Sequence, residues 1–298
     1  MIDPAEITTA AKTDVGQMRK VNQDYVDEFS RDSGRERLLV IADGMGGHSA
    51  GDVASRMAVE TVGEVFQDAR LDAQRLLLSA FETANQRLRA AADDDDSLAG
   101  MGTTAVALLF ARNGASWLAH VGDSRAYRLR DGQLVQLTDD HSVVGELQRL
   151  GRISPEQART HPQRNQILRA IGTQSTIEVD LQRLDARRGD RFLTCSDGLY
   201  GMVHDEEIAE ILGSESADDA VRMLVDLAND RGGSDNITVQ LAYLGGSDET
   251  RAAPKPTAQS QSRSQSQSRQ WLHVTGIWAS ALIGLGLLLF LLVRWLSA

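Results

Sequence analysis

Cysteine is almost absent from this chain of 298 residues, and the one cysteine, Cys195, cannot form a disulfide within the chain. We therefore expect a protein of a reducing compartment. A structural zinc site is excluded as well, because the sequence holds no set of cysteine and histidine ligands. Aromatic residues make up only 5 % of the chain against 42 % hydrophobic residues in total, which predicts an aliphatic core.

Positive charge is also in short supply. The chain carries 31 Lys and Arg against 42 Asp and Glu, a formal net charge of −11. This balance argues against binding to the phosphate backbone of nucleic acid, so no nucleic-acid partner is expected. The first residues, MIDPAEITTA, contain no basic segment followed by an apolar run, so we expect no secretory signal there.

The C-terminal part of the chain changes character after residue 245. Residues 246–270 are rich in Ser and Gln and nearly lack apolar side chains, which predicts a disordered linker. Residues 274–293 then form a run of 20 without a charge, long enough for a helix to cross a bilayer. We predict a domain at 1–245, a linker at 246–270 and a single transmembrane helix at 271–298. The protein is expected in the cytoplasmic (inner) membrane with its domain in the cytoplasm.

The first half of the domain reads as strand, two helices and then several strands. An apolar run at 37–42 predicts a buried strand, and apolar spacing of three and four predicts helices at 49–66 and 71–92. Short strands follow at 104–110, 116–121, 126–129 and 134–137. Asn113-Gly114 and Asp131-Gly132 are typical of hairpin turns, so these strands are predicted to form an antiparallel meander. This order favours a layered α+β fold.

The second half adds further helices and strands. Helices are predicted at 142–151, 205–212 and 217–229. A further helix is predicted to begin at Ser154, where Ser154 and Gln157 can form a capping box. An irregular polar segment at 161–172 is interpreted as a mobile flap. Strands are predicted at 176–184, 190–195 and 237–244, the last with one face in the core because Ile237, Val239 and Leu241 alternate with polar residues.

Three aspartates far apart in sequence share one local pattern. Asp43, Asp197 and Asp235 each follow or adjoin a predicted strand and each precede Gly or Asn. Carboxylates at strand ends can meet at one edge of a β-sandwich, where oxygen ligands suit Mg²⁺ or Mn²⁺. Two such ions could activate a water molecule for attack on phosphorus. Any one of these aspartates alone is more often a turn residue, so the hypothesis depends on all three.

Eight stretches of the sequence together resemble a known family. They are TDVGQMRKVNQD (13–24), ADGMGGHSAG (42–51), MGTT (101–104), HVGDSRAYRL (120–129), LTDDHSVV (137–144), ILRAIGT (167–173), TCSDGL (194–199) and GGSDNIT (232–238). In this order they resemble the bacterial form of the metal-dependent Ser/Thr protein phosphatases, the protein phosphatase 2C type. The resemblance implies a four-layer α-β-β-α sandwich with a central antiparallel β-sandwich, to which this chain would add the C-terminal transmembrane helix.

The resemblance also implies metal ligands in this sequence. Two Mn²⁺ or Mg²⁺ ions, with a third, weaker ion that shares Asp197, would be held by Asp43, Asp197, Asp235, the Gly44 carbonyl and, at the third site, Asp123.

Other roles follow from the same resemblance. Arg19 would be catalytic and would hold the substrate phosphate, which suits the fork of a guanidinium group. Asp24 would act catalytically through water on a metal ion. Residues 142–172 would be the family's variable flap, which influences substrate entry.

The function implied is hydrolysis of phosphoserine and phosphothreonine in proteins, without a phosphoenzyme intermediate. Expected partners are phosphorylated proteins, including a Ser/Thr protein kinase. One alternative is a catalytically silent scaffold that binds phosphoproteins on the same fold. Another is a metallohydrolase that acts on nucleotides or other small phosphate esters.

Two positions depart from the family pattern. Met45 stands where animal members have a histidine proposed as general acid, and Gln23 stands where many relatives have Glu. Met45 cannot donate a proton, while Gln23 still hydrogen-bonds but lacks charge. His48 is interpreted as a loop histidine. Cys195 is not a phosphatase nucleophile, because that class needs an Arg six residues later, where Gly201 stands.

Overall fold

Two antiparallel β-sheets form the centre of the computed structural model, which describes residues 4–47 and 50–245. The first sheet contains, in spatial order, β1 (Ile7–Asp14), β11 (Ile237–Leu244), β10 (Arg191–Cys195), β7 (Arg125–Arg130) and β8 (Gln133–Gln136). The second sheet contains β2 (Asp24–Arg31), β3 (Glu36–Met45), β5 (Ala105–Phe110), β6 (Ser116–Val121) and β9 (Asp180–Leu184), with β4 (Gly102–Thr103) paired to β3.

The α-helices of the described residues lie between these strands along the chain. They are α1 (Ala50–Asp68), α2 (Ala73–Asp94), α3 (Val143–Arg149), α4 (Pro155–Arg159), α5 (Asp197–Tyr200), α6 (Asp205–Ser214) and α7 (Ala217–Asp230). Side-chain caps fix several starts, because a side-chain oxygen satisfies a backbone N–H that has no partner in the first turn. The predicted capping box at Ser154 and Gln157 is present at the start of α4.

Three hydrophobic clusters hold the layers together. One contains Leu39, Val106 and Phe110 of the second sheet with Phe192 and Ala242 of the first, and therefore lies between the sheets. The rings of Phe110 and Phe192 meet edge to face with centroids 5.9 Å apart.

The other two clusters cover the outer faces of the sheets. Phe66 of α1 and Phe81 of α2 pack with Val40 of the second sheet, whereas Leu224 of α7 packs with Leu241 of the first. Helices, sheet, sheet and helices therefore follow one another. The α+β class and the central antiparallel β-sandwich expected from the sequence are confirmed.

The predicted four-strand meander is wrong at one junction. β5 pairs with β6 and β7 pairs with β8, but β6 belongs to the second sheet and β7 to the first. The chain changes sheet at Gly122–Ser124, where Gly122 has φ +105°, a conformation that residues with a Cβ rarely adopt. Alternation along a strand predicts which face is buried but not which sheet the next strand joins.

Two other strands differ from expectation. β2 was not predicted, because its sequence DYVDEFSR is rich in charge. β11 is buried on both faces: Ile237, Val239 and Leu241 pack under the helices, while Ala242 and Leu244 face the second sheet. The strand was predicted with one buried face because Thr238 and Gln240 are polar, yet both are buried as well.

No helix within residues 4–47 and 50–245 has the length and apolar character needed to cross a membrane. The predicted linker at 246–270, the predicted transmembrane helix at 271–298 and His48 lie outside the described residues.

Candidate active site

The strand ends bring the predicted aspartates to one edge of the sandwich. Asp24 begins β2 and stands directly opposite Asp43 of β3 in the antiparallel register. Asp197 follows β10 and Asp235 lies two residues before β11, and these two strands are neighbours that run antiparallel. The end of one and the start of the other therefore lie together. Each sheet contributes two carboxylates.

Hydrogen bonds join the two pairs across the sandwich. The hydroxyl groups of Ser196 and Thr238, from the first sheet, donate to Oδ2 of Asp24 in the second sheet, each at 2.7 Å. The backbone N–H of Gln23 donates to Oδ1 of Asn236 at 2.8 Å. These bonds fix the ends of both sheets to each other, and they hold one oxygen of Asp24 firmly.

Burial and mutual repulsion make the carboxylates of this cluster hard to ionise together. Burial raises the pKa of Asp24 to about 6, with Asp235 adding to the rise. Burial and then the charges of Asp24, Asp197 and Asp123 raise the pKa of Asp43 well above its ordinary value. The pKa of Asp197 rises in the same way, first through burial and then through Asp123 and Asp235.

Two oxygens at this edge are left without a partner. Oδ1 of Asp24 and Oδ1 of Asp197 are buried and accept no hydrogen bond from the protein. A buried carboxylate without a compensating charge or donor is costly, so this cluster is incomplete as the chain alone builds it. The side-chain atoms that converge here and could bind a metal ion are carboxylate oxygens, which suits a hard divalent cation.

Asp123 lies beside the four other aspartates. It stands in the turn between β6 and β7 and is buried, with 4 % of its surface exposed. Burial and the charge of Asp140 raise the pKa of Asp123 to about 7, while Arg125 lowers it. The hydroxyl of Tyr200, at the end of α5, donates to the carbonyl of Asp123 at 3.1 Å. The predicted third-site residue therefore belongs to the same edge.

Gly44 is required by a close approach of the backbone. A Cβ at this position would come 1.9 Å from the carbonyl oxygen of Gly51, at the start of α1, and 2.7 Å from that of Gln23. The N–H of Gly44 donates to the carbonyl of Gln23 at 3.0 Å. Any larger residue here would displace α1 from the end of β3, which carries Asp43.

Two threonines hold the backbone of Asp43. The N–H of Asp43 donates to Oγ1 of Thr104 at 3.0 Å, and the carbonyl of Asp43 accepts from Oγ1 of Thr103 at 2.8 Å. Oγ1 of Thr104 also bonds to the hydroxyl of Ser124 at 2.7 Å, next to Asp123. These buried hydroxyls fix the position of Asp43 relative to the turn that holds Asp123.

Arg19 reaches the cluster from the loop between β1 and β2. Nδ2 of Asn236 donates to the carbonyls of Val15 and Val21 at 2.9 and 3.0 Å, which fixes the loop. Nη2 of Arg19 donates to Oδ2 of Asp235 at 2.7 Å, and the Arg19 side chain is 47 % exposed. Its guanidinium group therefore lies at the border between the carboxylates and the solvent.

An open cavity of about 650 Å³ lies in front of these residues. Arg19, Asp197 and Asp235 line it, together with Arg159 and Arg164 of the segment predicted as a flap. Three of the predicted site residues thus line a cavity large enough for a peptide side chain.

Comparison with known proteins agrees with this geometry. The sequence profile described as Protein phosphatase 2C matches residues 17–242. Over 241 residues the chain is 41 % identical to the protein phosphatase PhpP of Streptococcus pneumoniae, with 79 % of this chain and 97 % of that protein covered. The chain belongs to the protein phosphatase 2C family. The family resemblance and the prediction of a Ser/Thr phosphoprotein phosphatase are therefore confirmed.

Other members of the family extend the comparison. The chain is 41 % identical over 252 residues to the serine/threonine protein phosphatase PstP of Mycobacterium tuberculosis, where the match covers 82 % of this chain but 46 % of PstP. The crystal structure of a PstP catalytic domain in complex with two manganese ions superposes with a TM-score of 0.72 at 39 % identity, covering 80 % of this chain and 99 % of that one.

The two departures from the family pattern have defined surroundings. The side chain of Met45 is half-buried at the end of β3 and offers no proton. The side-chain amide of Gln23 lies against Gly51, where an added Cβ would come 2.4 Å from Nε2. Gln23 thus packs at the start of α1.

Sequence reasoning missed the residues that hold the aspartates in place. These are Thr103, Thr104, Ser196, Thr238, Asn236 and Tyr200. All lie in or beside stretches that carry the family resemblance, which was the available signal. Their roles depend on which strands meet, and this is not visible from local sequence.

Proposed function

We propose that this phosphatase removes phosphate from phosphoserine and phosphothreonine side chains of proteins by direct attack of water at a dinuclear Mn²⁺ or Mg²⁺ centre. The observation that carries the proposal is the meeting of carboxylates from both sheets, with two buried oxygens that have no partner in the protein and with Arg19 as the basic side chain beside them. The two manganese ions of the similar PstP catalytic domain support it.

Distinct roles follow for the carboxylates. Asp43, Asp197 and Asp235, with the Gly44 carbonyl, would hold the two ions, and Asp123 with Asp197 would hold a third. When bound, such ions supply a water nucleophile activated for attack on phosphorus and neutralise developing negative charge. Asp24 has one oxygen fixed by Ser196 and Thr238, so its free oxygen is left to orient water at the centre.

Arg19 would bind the phosphate group of the substrate. A guanidinium group presents several N–H donors in a plane that matches phosphate oxygens. Arg19 already lies beside Asp235 with half its side chain in solvent, so it can reach a phosphate in the cavity that it lines. The side chain of Met45 has no proton to donate, so the proton for the leaving hydroxyl comes from another group.

We place the enzyme at the cytoplasmic membrane, with the phosphatase domain 1–245 in the cytoplasm, a linker at 246–270 and a single anchor at 271–298. The uncharged run of 20 residues at 274–293 supports the anchor. Anchoring would raise the local concentration of membrane-bound phosphoproteins, among them a Ser/Thr kinase. Fractionation of cells should find the full chain with membranes and a chain ending at residue 245 in the soluble fraction.

The decisive experiment measures turnover of a phosphothreonine peptide by the full chain with Mn²⁺ and with a chelator. We expect turnover with Mn²⁺ and none with the chelator. The scaffold alternative would be favoured by two results together: no turnover by the wild type, and equal binding of phosphoprotein by the wild type and an Asp43→Asn variant. Faster turnover of a nucleotide at equal concentration would favour the small-ester alternative.

A further inference from the structure

Two buried histidines and one aspartate form a cluster that the proposed reaction does not use. His120 of β6 and His141, just before α3, are 3 % and 5 % exposed, and their rings stack with centroids 4.5 Å apart. Asp180 begins β9 beside them. One ligand-type atom from each of the three lies within 4.8 Å of the others, the one such group in the described part of the chain.

Hydrogen-bond direction decides what His141 does. The backbone N–H of Gly122 donates to Nδ1 of His141 at 3.1 Å, so Nδ1 must present its lone pair. Burial lowers the pKa of His141 to about 4, so the ring is neutral near pH 7 and its proton lies on Nε2. Oδ2 of Asp180 lies 3.4 Å from Nε2, which is buried and makes no hydrogen bond within the described residues. A neutral ring in this state has no lone pair left for a metal ion.

His141 holds Gly122 at two points. Besides the bond to the ring, the backbone N–H of His141 donates to the carbonyl of Gly122 at 3.0 Å. On its other side Gly122 lies against Thr104, because a Cβ on Gly122 would come 2.5 Å from Cγ2 of Thr104. Gly122 is therefore clamped between His141 and the threonine that bonds to Asp43.

The residue after Gly122 is Asp123, and the chain beyond it is held from the same loop. Arg125 donates to both carboxylate oxygens of Asp140 at distances of 2.7–3.1 Å, and its guanidinium group lies 3.6 Å from the ring centroid of Tyr200. Asp140 and His141 therefore contact the chain on both sides of Asp123, at Arg125 and Gly122. Tyr200 contacts Asp123 itself, because its hydroxyl donates to the Asp123 carbonyl at 3.1 Å.

We propose that His141 is a positioning residue that fixes Asp123 through Gly122, with the carboxylate of Asp180 beside the imidazole ring. The proposal rests on the proposed function, in which Asp123 helps to hold the third, weaker ion. It also links the predicted flap to that ion, because Leu168 donates its N–H to the carbonyl of His141 at 2.7 Å and Arg169 pairs with Asp180 at 2.9 Å.

Two substitutions of similar size separate this role from general packing. In His141→Asn the amide oxygen takes the place of Nδ1 and still accepts from Gly122. In His141→Gln the amide group lies at the depth of Nε2, so the Gly122 N–H loses its acceptor. Substitution of a group that orients a metal ligand typically lowers the metal affinity by about 10–100-fold.

The experiment measures Mn²⁺ binding to the full chain by electron paramagnetic resonance, and turnover of a phosphothreonine peptide as a function of Mn²⁺. For His141→Gln we expect the weakest-bound ion to bind about tenfold less tightly. Turnover at saturating Mn²⁺ should stay near that of the wild type. His141→Asn should restore the wild-type affinity to within about threefold, and Asp123→Asn should remove this ion.

Mn²⁺ affinity that is the same in His141→Asn and His141→Gln would overturn the inference, whether it is unchanged from the wild type or reduced in both variants. If His141→Gln does not fold, nitrogen NMR of the wild-type imidazoles decides, because we expect the Nε2–H tautomer at His141. A proton on Nδ1, or stoichiometric Zn²⁺ binding seen at both histidines, would contradict the inference. A wild-type chain that binds no Mn²⁺ would instead refute the proposed function, with the tautomer result unaffected.

Discussion

The strand β10 has an aspartate at each end, and the two ends differ in how the chain treats the charge. Asp190, just before the strand, is 1 % exposed and accepts from Nε and Nη2 of Arg130 at 2.6 and 2.7 Å and from the N–H of Arg187 at 2.8 Å. Asp197, just after the strand, has a buried oxygen with no partner and lies beside Asp123 and Asp235.

The difference separates a structural end of the sandwich from a functional one. At Asp190 the protein supplies both the opposite charge and the hydrogen bonds that a buried carboxylate needs. At Asp197 the neighbouring Asp123 and Asp235 add negative charge, which Arg19 offsets only in part, and one buried oxygen of Asp197 has no partner. One residue type on one strand thus serves two purposes, and the neighbouring side chains decide which.

The largest expected effect is on catalysis. Asp43→Asn should lower the turnover of a phosphothreonine peptide at saturating Mn²⁺ by about 1000-fold, because a metal centre is worth several kcal/mol of transition-state stabilisation. Asp190→Asn is the matched control and should keep the turnover per folded molecule within about threefold. Comparable losses in both variants would remove the distinction between the two ends.

The same two variants should differ in stability in the opposite order, with Asp190→Asn the more damaging change. Asp190→Asn weakens the bonds from Arg130, which still pairs with Asp185, and should lower the free energy of unfolding by about 1–3 kcal/mol, measured by urea denaturation without metal. Asp43→Asn should raise the melting temperature of the metal-free protein, because it removes one of several repelling carboxylates. A metal-free Asp43→Asn protein less stable than the wild type would contradict the account.

The raised pKa values of Asp24, Asp43, Asp123 and Asp197 should make the metal-free protein lose stability as pH rises, against a smaller opposite contribution from His141, whose pKa is lowered. Burial raises the pKa of Asp24 in the folded state to about 6, against 3.8 for the ordinary group, so the folded state binds more protons than the unfolded state. Stability is therefore fully present below about pH 4 and is lost as pH rises through 6, by roughly 3 kcal/mol for Asp24 alone. Thermal melts with and without Mn²⁺ measure this. A melting temperature that rises between about pH 5 and 8 without metal would refute it.

A smaller effect is expected at the solvent border. Arg19→Lys keeps the charge but loses the planar fork, so kcat/KM for the phosphopeptide should fall about tenfold, and Arg19→Ala should cost up to about 100-fold. Lys20→Ala is the control, since Lys20 is exposed in the same loop and carries the same charge. Equal effects at both positions would mean that only general positive charge matters.

Local sequence was enough to propose the aspartates that meet at one edge, but not to find the residues that hold them. Asp43, Asp197 and Asp235 could be singled out because each follows or adjoins a predicted strand, and strand ends can meet at one edge. The contacts of Ser196 and Thr238 with Asp24 join residues more than 170 positions apart. His141 contacts Gly122, where the chain changes sheet just before Asp123, and strand patterns do not encode that change.

The central claim is that the aspartate edge is a centre for divalent cations. Equilibrium dialysis of the metal-stripped full chain against Mn²⁺ tests it most directly, with Asp235→Asn and Asp190→Asn beside the wild type. We predict about two or more ions per chain for the wild type and Asp190→Asn, and fewer for Asp235→Asn. Mn²⁺ binding that is absent from the wild type, or unchanged by Asp235→Asn, would contradict the account.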